Sequence, residues 1–142
     1  EPPPHFFDIH PKEYSLEELR ELWKMEDVAS RGESSLSLYI HIPFCQSRCA
    51  FCMYDSHLAK DDDLQIYTER IIKEYNYWRE ELSRPLKSLY IGGGTPSILD
   101  VECFEKLLNK IFQVVDKNKI QEFTVEFNPE DIRKELIDDN VD

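Results

Sequence analysis

Three of the four cysteines, Cys45, Cys49 and Cys52, fall in one short C-x3-C-x2-C run, and Cys103 lies far along the chain. Three thiolates on one loop suit an iron–sulfur centre: they hold three irons of a cubane and leave the fourth open to an outside ligand. A closed electron-transfer cluster would want a fourth cysteine nearby, and Cys103 falls in a segment with helical spacing. Two other readings of the trio stand beside this one. Positions 45, 49 and 52 are also i, i+4, i+7, the stripe that small residues make when buried along a helix; Pro43 and the β-rich run before it argue against a helix there. Zinc is the other: His41 or His57 would complete a Cys3His set, although the spacing is not one of the common zinc pairings. An evenly spread set would read as the disulfide framework of a secreted domain; a tight trio with an outlier reads as reduced thiols in an intracellular chain.

Two further runs carry possible chemistry. Tyr90-Ile91-Gly92-Gly93-Gly94-Thr95-Pro96 takes every glycine but Gly32. It matches neither the dinucleotide fingerprint nor the P-loop, and no Lys-Ser/Thr pair follows. Adjacent glycines after a strand still let a ligand approach the backbone closely, while a plain turn uses the same residues. In Glu126-Phe127-Asn128-Pro129, the last pair suits a helix cap with proline at the first helical position. Glu126 falls on the polar face of its strand, where a carboxylate needs a partner or ligand unless the position is an exposed edge. Tyr39 and His41 share that face on the first strand.

The elements that position these residues follow from periodicity. Residues 1–14 carry four of the eight prolines and read as an extended arm. Ser15 opens a capping box with Glu18, and Leu16, Leu19, Leu22 and Trp23 recur at helical spacing to about Val28. Residues 31–35 form a turn or linker. Three short β-rich runs follow, Leu36–Pro43, Lys87–Gly92 and Glu122–Phe127. Between the first two, Leu64, Tyr67, Ile71, Tyr75, Trp78 and Leu82 trace one apolar helical face; between the last two, Val101, Phe104, Leu108, Ile111 and Val115 trace another. A third helix is expected from residue 129 onward. The β-α-β-α-β-α order implies parallel strands with right-handed crossovers.

Each strand alternates. Leu36, Leu38, Ile40 and Ile42 oppose Ser37, Tyr39 and His41; Leu89 and Ile91 oppose Ser88 and Tyr90; Phe123, Val125 and Phe127 oppose Glu122, Thr124 and Glu126. A doubly wound sheet, covered on both faces, would be nearly all apolar. One apolar and one polar face instead suggest helices packed outside and a ligand-holding interior, as in a barrel. A complete eight-stranded barrel takes about 200 residues or more; this chain has 142, so a truncated barrel is expected.

The whole chain carries 17 Lys+Arg against 29 Asp+Glu, a net charge of −12, which disfavours phosphate-backbone binding by nucleic-acid readers. The 41% hydrophobic content excludes a disordered chain. No apolar run approaches the roughly 18 residues of a membrane span, and the first ten residues lack the marks of a secretory signal. Residues 37–59 hold only Arg48 and Asp55, so the acidic excess belongs to the arm and helices.

Taken together, Tyr39-Ile40-His41-Ile42-Pro43-Phe44-Cys45 with Cys49 and Cys52, Gly92-Gly93-Gly94-Thr95-Pro96, and Glu126-Phe127-Asn128-Pro129 resemble the radical S-adenosylmethionine (SAM) enzymes. Within them they are most similar to the oxygen-independent coproporphyrinogen III oxidase-like family. The resemblance covers about residues 36–131. It implies an α/β fold, the N-terminal portion (about three βα units) of a partial radical SAM, TIM-like barrel, with residues 1–34 as an arm and helix and 35–142 as the barrel's first half. It further implies that Cys45, Cys49 and Cys52 hold a 4Fe-4S cluster whose open iron is chelated by S-adenosyl-L-methionine. Tyr39, Gly93 and Glu126 match positions that contact this molecule; Phe51, Gly94 and Thr95 match positions that contact a second one in the coproporphyrinogen oxidase. The implied chemistry is one-electron reductive cleavage to methionine and a 5′-deoxyadenosyl radical, fed by a donor such as flavodoxin or ferredoxin in the cytoplasm.

The oxidase has a further cysteine two residues past its third ligand, where this chain has Tyr54. An aromatic there resembles the haem-chaperone branch; haem-degrading enzymes and radical methyltransferases are related branches. The resemblance thus implies a tetrapyrrole as the small-molecule substrate, with a methyltransferase or a non-catalytic zinc-binding interaction module as the alternatives.

Overall fold

In a computed structural model of the chain, residues 13–29, 35–53, 56–60, 62–79 and 84–129 are described. Among them, helix α1 spans Leu16–Ala29, strand β1 Leu36–Ile42, two short strands β2 and β3 Phe44–Cys45 and His57–Leu58, helix α2 Asp63–Arg79, strand β4 Leu86–Gly93, helix α3 Val101–Phe112 and strand β5 Glu122–Val125. Residues 1–12 of the arm expected at 1–14, residues 31–34 of the linker expected at 31–35, Tyr54, Leu82 and all but the first residue of the third helix expected from 129 lie outside the described residues.

The long strands form one parallel sheet in the order β1-β4-β5, with α2 and α3 as the crossovers. Alternation sets its register. Tyr39 pairs with Tyr90 and Tyr90 with Thr124, while Ile40 pairs with Ile91 and Ile91 with Val125. Whole rows of like character therefore line up across the sheet, and a slip of one residue would turn each row inside out.

On the apolar face, Ile42, Leu89 and Ile91 of the sheet meet Leu107 and Ile111 of α3, all fully enclosed, with Ile40, Ile72, Tyr75, Leu86 and Cys103 beside them. Each such side chain contributes ~1.5–3 kcal/mol of burial. Buried polar groups in this layer are paired: the Tyr75 hydroxyl donates to the Ile111 carbonyl at 3.4 Å, and Thr68 Oγ1 to the Leu64 carbonyl at 2.8 Å. Burial raises the Cys103 thiol above its usual pKa, so Cys103 is a small core residue.

Local signals fix the helix starts. In α1 the Ser15 N–H donates to Glu18 at 2.8 Å and the Glu18 N–H to Ser15 Oγ at 3.2 Å, the reciprocal capping box. Asp100 caps α3 by accepting the Cys103 N–H at 2.7 Å. Helix α1 leans on α2 through Trp23 and Trp78, whose ring centroids are 5.4 Å apart, and through the Arg20 guanidinium 5.1 Å over Tyr77.

Several expectations are corrected. The buried stripe of α3 is Cys103, Leu107 and Ile111, with Phe104 and Leu108 flanking it and Val101 64% exposed. In α2 the buried line is Thr68, Ile72 and Tyr75, one position round from Leu64, Tyr67 and Ile71, which are half-buried. Strand β1 stops at Ile42, before Pro43, and β5 stops at Val125, two residues short of Phe127. Phe123 and Phe127 are 46% and 51% exposed, so the apolar side of β5 is incompletely covered among the described residues. The paired strands β2 and β3 were not foreseen, being too short for any periodicity to register.

Candidate functional site

Parallel strands bring their C-terminal ends to one edge, and the three sequence motifs each begin there. Strand β1 leads into the cysteine loop, β4 ends in Gly92-Gly93, and Glu126 follows β5. Parallel α/β sheets place ligands at this edge because loops of several strands converge on it.

Cys45 is the anchored member of the trio. It lies on β2, where the Ala59 N–H donates to its carbonyl at 3.2 Å and the His57 N–H to the Pro43 carbonyl at 2.8 Å. On the other side the glycine run continues the β1–β4 ladder. The Gly94 N–H donates to the Ile42 carbonyl and the Thr95 N–H to the Phe44 carbonyl, both at 2.8 Å. A Cβ on Gly94 would stand 2.8 Å from Cys45 Sγ, so only glycine permits this contact. Thr95 Oγ1 donates to the same sulfur at 3.4 Å.

Cys49 and Cys52 are exposed, on a reversal in which the Cys52 N–H donates to the Cys49 carbonyl at 3.1 Å. None of the three forms a disulfide. Phe51 projects from the same reversal, 87% exposed. Among the described residues no three His, Cys, Asp or Glu side chains gather around a point suited to one metal ion. A cubane asks for no such point, because each thiolate binds its own iron. The donor set, three cysteines on one loop with no competing disulfide, fits that group.

Gly93 is the hinge of the second motif. Its φ of +129° suits glycine, and a Cβ would meet the Ile42 carbonyl at 2.6 Å. The turn aims the Gly93 N–H at Glu126 Oε2, 3.0 Å away, while the Tyr90 hydroxyl donates to Oε1 at 2.5 Å. That bond, chiefly, raises the Tyr90 pKa, so the phenol keeps the proton it donates to Glu126. The two donors orient the Glu126 carboxylate and leave its remaining lone pairs open to a cationic ligand.

Tyr39 and His41 complete the polar face. The Tyr39 hydroxyl and His41 Nδ1 are 2.9 Å apart, and the Tyr39 and Tyr90 rings lie 5.7 Å apart. Tyr67 reaches from α2 to donate to the His41 carbonyl at 2.9 Å; its partial burial raises its pKa. A cavity of about 450 Å³ runs elsewhere, along the β1 edge between α1 and α2, lined by Trp23, Leu38, Tyr39, Tyr67 and Trp78. It adjoins Tyr39 and His41 but not the cysteine loop.

Tyr90 heads the glycine run but was given no role there; the structure shows it orienting Glu126. Its place on the polar row beside Tyr39, one strand from Glu126, was the available signal. The backbone carbonyls of Ile42 and Phe44, which dock the glycine run, carried none.

Comparison with known proteins gives the site a context. A model of the radical SAM superfamily matches residues 39–142. A heme chaperone HemW from Lactococcus lactis subsp. lactis is 40% identical over 101 residues, covering 71% of this chain and 26% of that protein. An oxygen-independent coproporphyrinogen III oxidase from Bradyrhizobium diazoefficiens is 30% identical over 108 residues, 74% of this chain and 24% of that one. Among solved structures, the coproporphyrinogen III oxidase HemN of Escherichia coli, a radical SAM enzyme, matches with a TM-score of 0.73 at 24% identity. That match covers 88% of this chain and 28% of the oxidase, and it shows a shared α/β fold with parallel strands. The chain spans about a quarter of the length of the curated relatives it matches.

Proposed function

This chain belongs to the radical SAM superfamily, and from that premise we propose that it holds a 4Fe-4S cluster on Cys45, Cys49 and Cys52 and binds SAM across Tyr39, Gly93 and Glu126. One observation carries the reading. The anchored cysteine packs directly on Gly94 and Thr95, and the preceding glycine donates its N–H to Glu126, so the three motifs form one connected edge. Held by Cys45, Cys49 and Cys52, a 4Fe-4S cluster would supply the one-electron reduction on which cleavage of SAM depends.

The chain's own residues bind and orient. The Glu126 carboxylate, held by two donors, faces the SAM ammonium. Gly93, with no side chain, lets the ligand reach the backbone. Tyr39 offers an exposed aromatic wall, its hydroxyl fixed by His41. Phe51, Gly94 and Thr95 border the same edge from the loop and the glycine run. Residues 35–142 then form the first half of the barrel, with 1–34 as a preceding arm and helix.

Relatives named as heme chaperones and coproporphyrinogen oxidases support a tetrapyrrole as the partner molecule. The identity to a heme chaperone favours that branch over porphyrin decarboxylation. A low-potential flavodoxin or ferredoxin is the matching electron donor. Four cysteines without a disulfide accord with the reducing cytoplasm. No helix among the described residues is long and apolar enough to cross a membrane.

The test is spectroscopic. Protein reconstituted anaerobically with iron and sulfide, then reduced with dithionite, should show an electron paramagnetic resonance spectrum that changes when SAM is added. The Glu126→Gln variant should need about tenfold more SAM for the same change, the loss expected of a charge-assisted bond. A spectrum indifferent to excess SAM would contradict the reading.

A further inference from the structure

We propose that Thr95 is a positioning residue that raises the reduction potential of the cluster by donating a hydrogen bond to Cys45. This deepens the reading above, since it rests on Cys45 as a cluster ligand.

The geometry is specific. Thr95 precedes the single-turn helix Pro96–Ile98, a place where threonine commonly caps. Here its side chain makes no capping bond, and Oγ1 instead donates to Cys45 Sγ at 3.4 Å. The backbone leaves little freedom for any other arrangement. The Thr95 N–H is tied to the Phe44 carbonyl, the residue just before the cysteine, and the Gly94 N–H is tied to Ile42. Gly94 has no room for a side chain between the glycine run and the sulfur. Donor and acceptor are thus carried on two segments already laced together, and Thr95 is half-buried.

The consequence is electrostatic. One electron enters the cluster from a low-potential donor; no proton moves, and no bond forms or breaks. The added negative charge spreads over the ligating sulfurs, where an O–H donor stabilises it more than it stabilises the oxidised state. Hydrogen bonds to ligand sulfur are a recognised control on such potentials. The resemblance matches Thr95 to a contact of a second SAM molecule. In this chain its hydroxyl is engaged by the cysteine.

The experiment compares wild type, Thr95→Val and Thr95→Ser after anaerobic reconstitution. A dye-mediated redox titration with dithionite is followed by electron paramagnetic resonance. Valine keeps the shape and removes the donor; serine keeps the donor. The valine variant should be about tenfold harder to reduce, a shift of ~59 mV to lower potential for one electron, with the serine variant near wild type. Loss of the cluster in the valine variant alone also supports the hydroxyl's hold on sulfur. Equal potentials in all three, or loss of the cluster in both variants, would overturn the proposal while leaving the cluster reading intact. A wild type that takes up no iron would overturn both.

Discussion

The Tyr90 hydroxyl donates to Glu126 at 2.5 Å, across the boundary between β4 and the end of β5. Gly93 holds the other carboxylate oxygen at 3.0 Å, so the Glu126 head group is fixed before any ligand arrives. Pre-orientation of this kind lowers the ordering cost of binding.

Replacing Tyr90 by phenylalanine removes one of those two donors. SAM affinity of the reconstituted protein should fall ~3–10-fold, the effect of losing one net hydrogen bond, with an unchanged circular dichroism spectrum. The pH dependence has a definite sign. The folded Tyr90 pKa is raised above 10.0, chiefly by Glu126, so this bond is complete below pH 10.0 and lost as pH rises through the raised value. Titration of Tyr90 absorbance, with the phenylalanine variant as reference, checks it.

Gly93→Ala should destabilise the chain by ~1–3 kcal/mol, the cost of a side chain in left-handed backbone. The approach of the Ile42 carbonyl, 2.6 Å from the added Cβ, places the true value toward the upper end. Urea denaturation measures this directly. A neutral substitution would mean that the turn relaxes.

Leu107→Ala should cost ~2–5 kcal/mol and Val101→Ala less than about 0.5 kcal/mol. Leu107 is fully enclosed on α3, whereas Val101 faces solvent. Spacing alone placed Val101 on the buried face, so thermal melts of this pair distinguish the observed rotation of α3 from the expected one.

Acid should loosen the helical layer. The Glu69 pKa is lowered by its 3.0 Å bond to Lys106, which joins α2 to α3, and the Glu18 pKa by the Ser15 cap. Both folded values lie below the ordinary 4.5, so their contributions are complete above pH 4.5 and are lost as pH falls through the folded values. Both groups are exposed, so the effect is small and screened by salt. Melting midpoints at low and high ionic strength between pH 6 and 3 report it, with the drop shallower in Lys106→Met.

Much of this architecture was legible because alternation is a strict code in strands. The polar row Tyr39–Tyr90–Thr124 and the apolar row Ile40–Ile91–Val125 follow from period two and a parallel order. The capping box of α1 was equally plain, since Ser15 and Glu18 are local to each other. Helix faces were read less well. In α3, Cys103 and Leu107 sit one position from the stripe drawn through Phe104 and Leu108, and a 100° step leaves both stripes apolar. Contacts made by backbone were not legible at all: Ile42 and Phe44 dock the glycine run through carbonyls that every residue possesses. Tyr90 was visible as a face position, but its partner was set by the sheet order, which places β4 next to β5.

The central claim is that Cys45, Cys49 and Cys52 hold one iron–sulfur cluster. Iron and acid-labile sulfide, measured per chain after anaerobic reconstitution and desalting, test it most directly. About four of each, falling to background in the Cys45/Cys49/Cys52→Ala triple variant while Cys103→Ala retains them, is the predicted result. A colourless protein, or an iron content that the triple variant leaves unchanged, would contradict it.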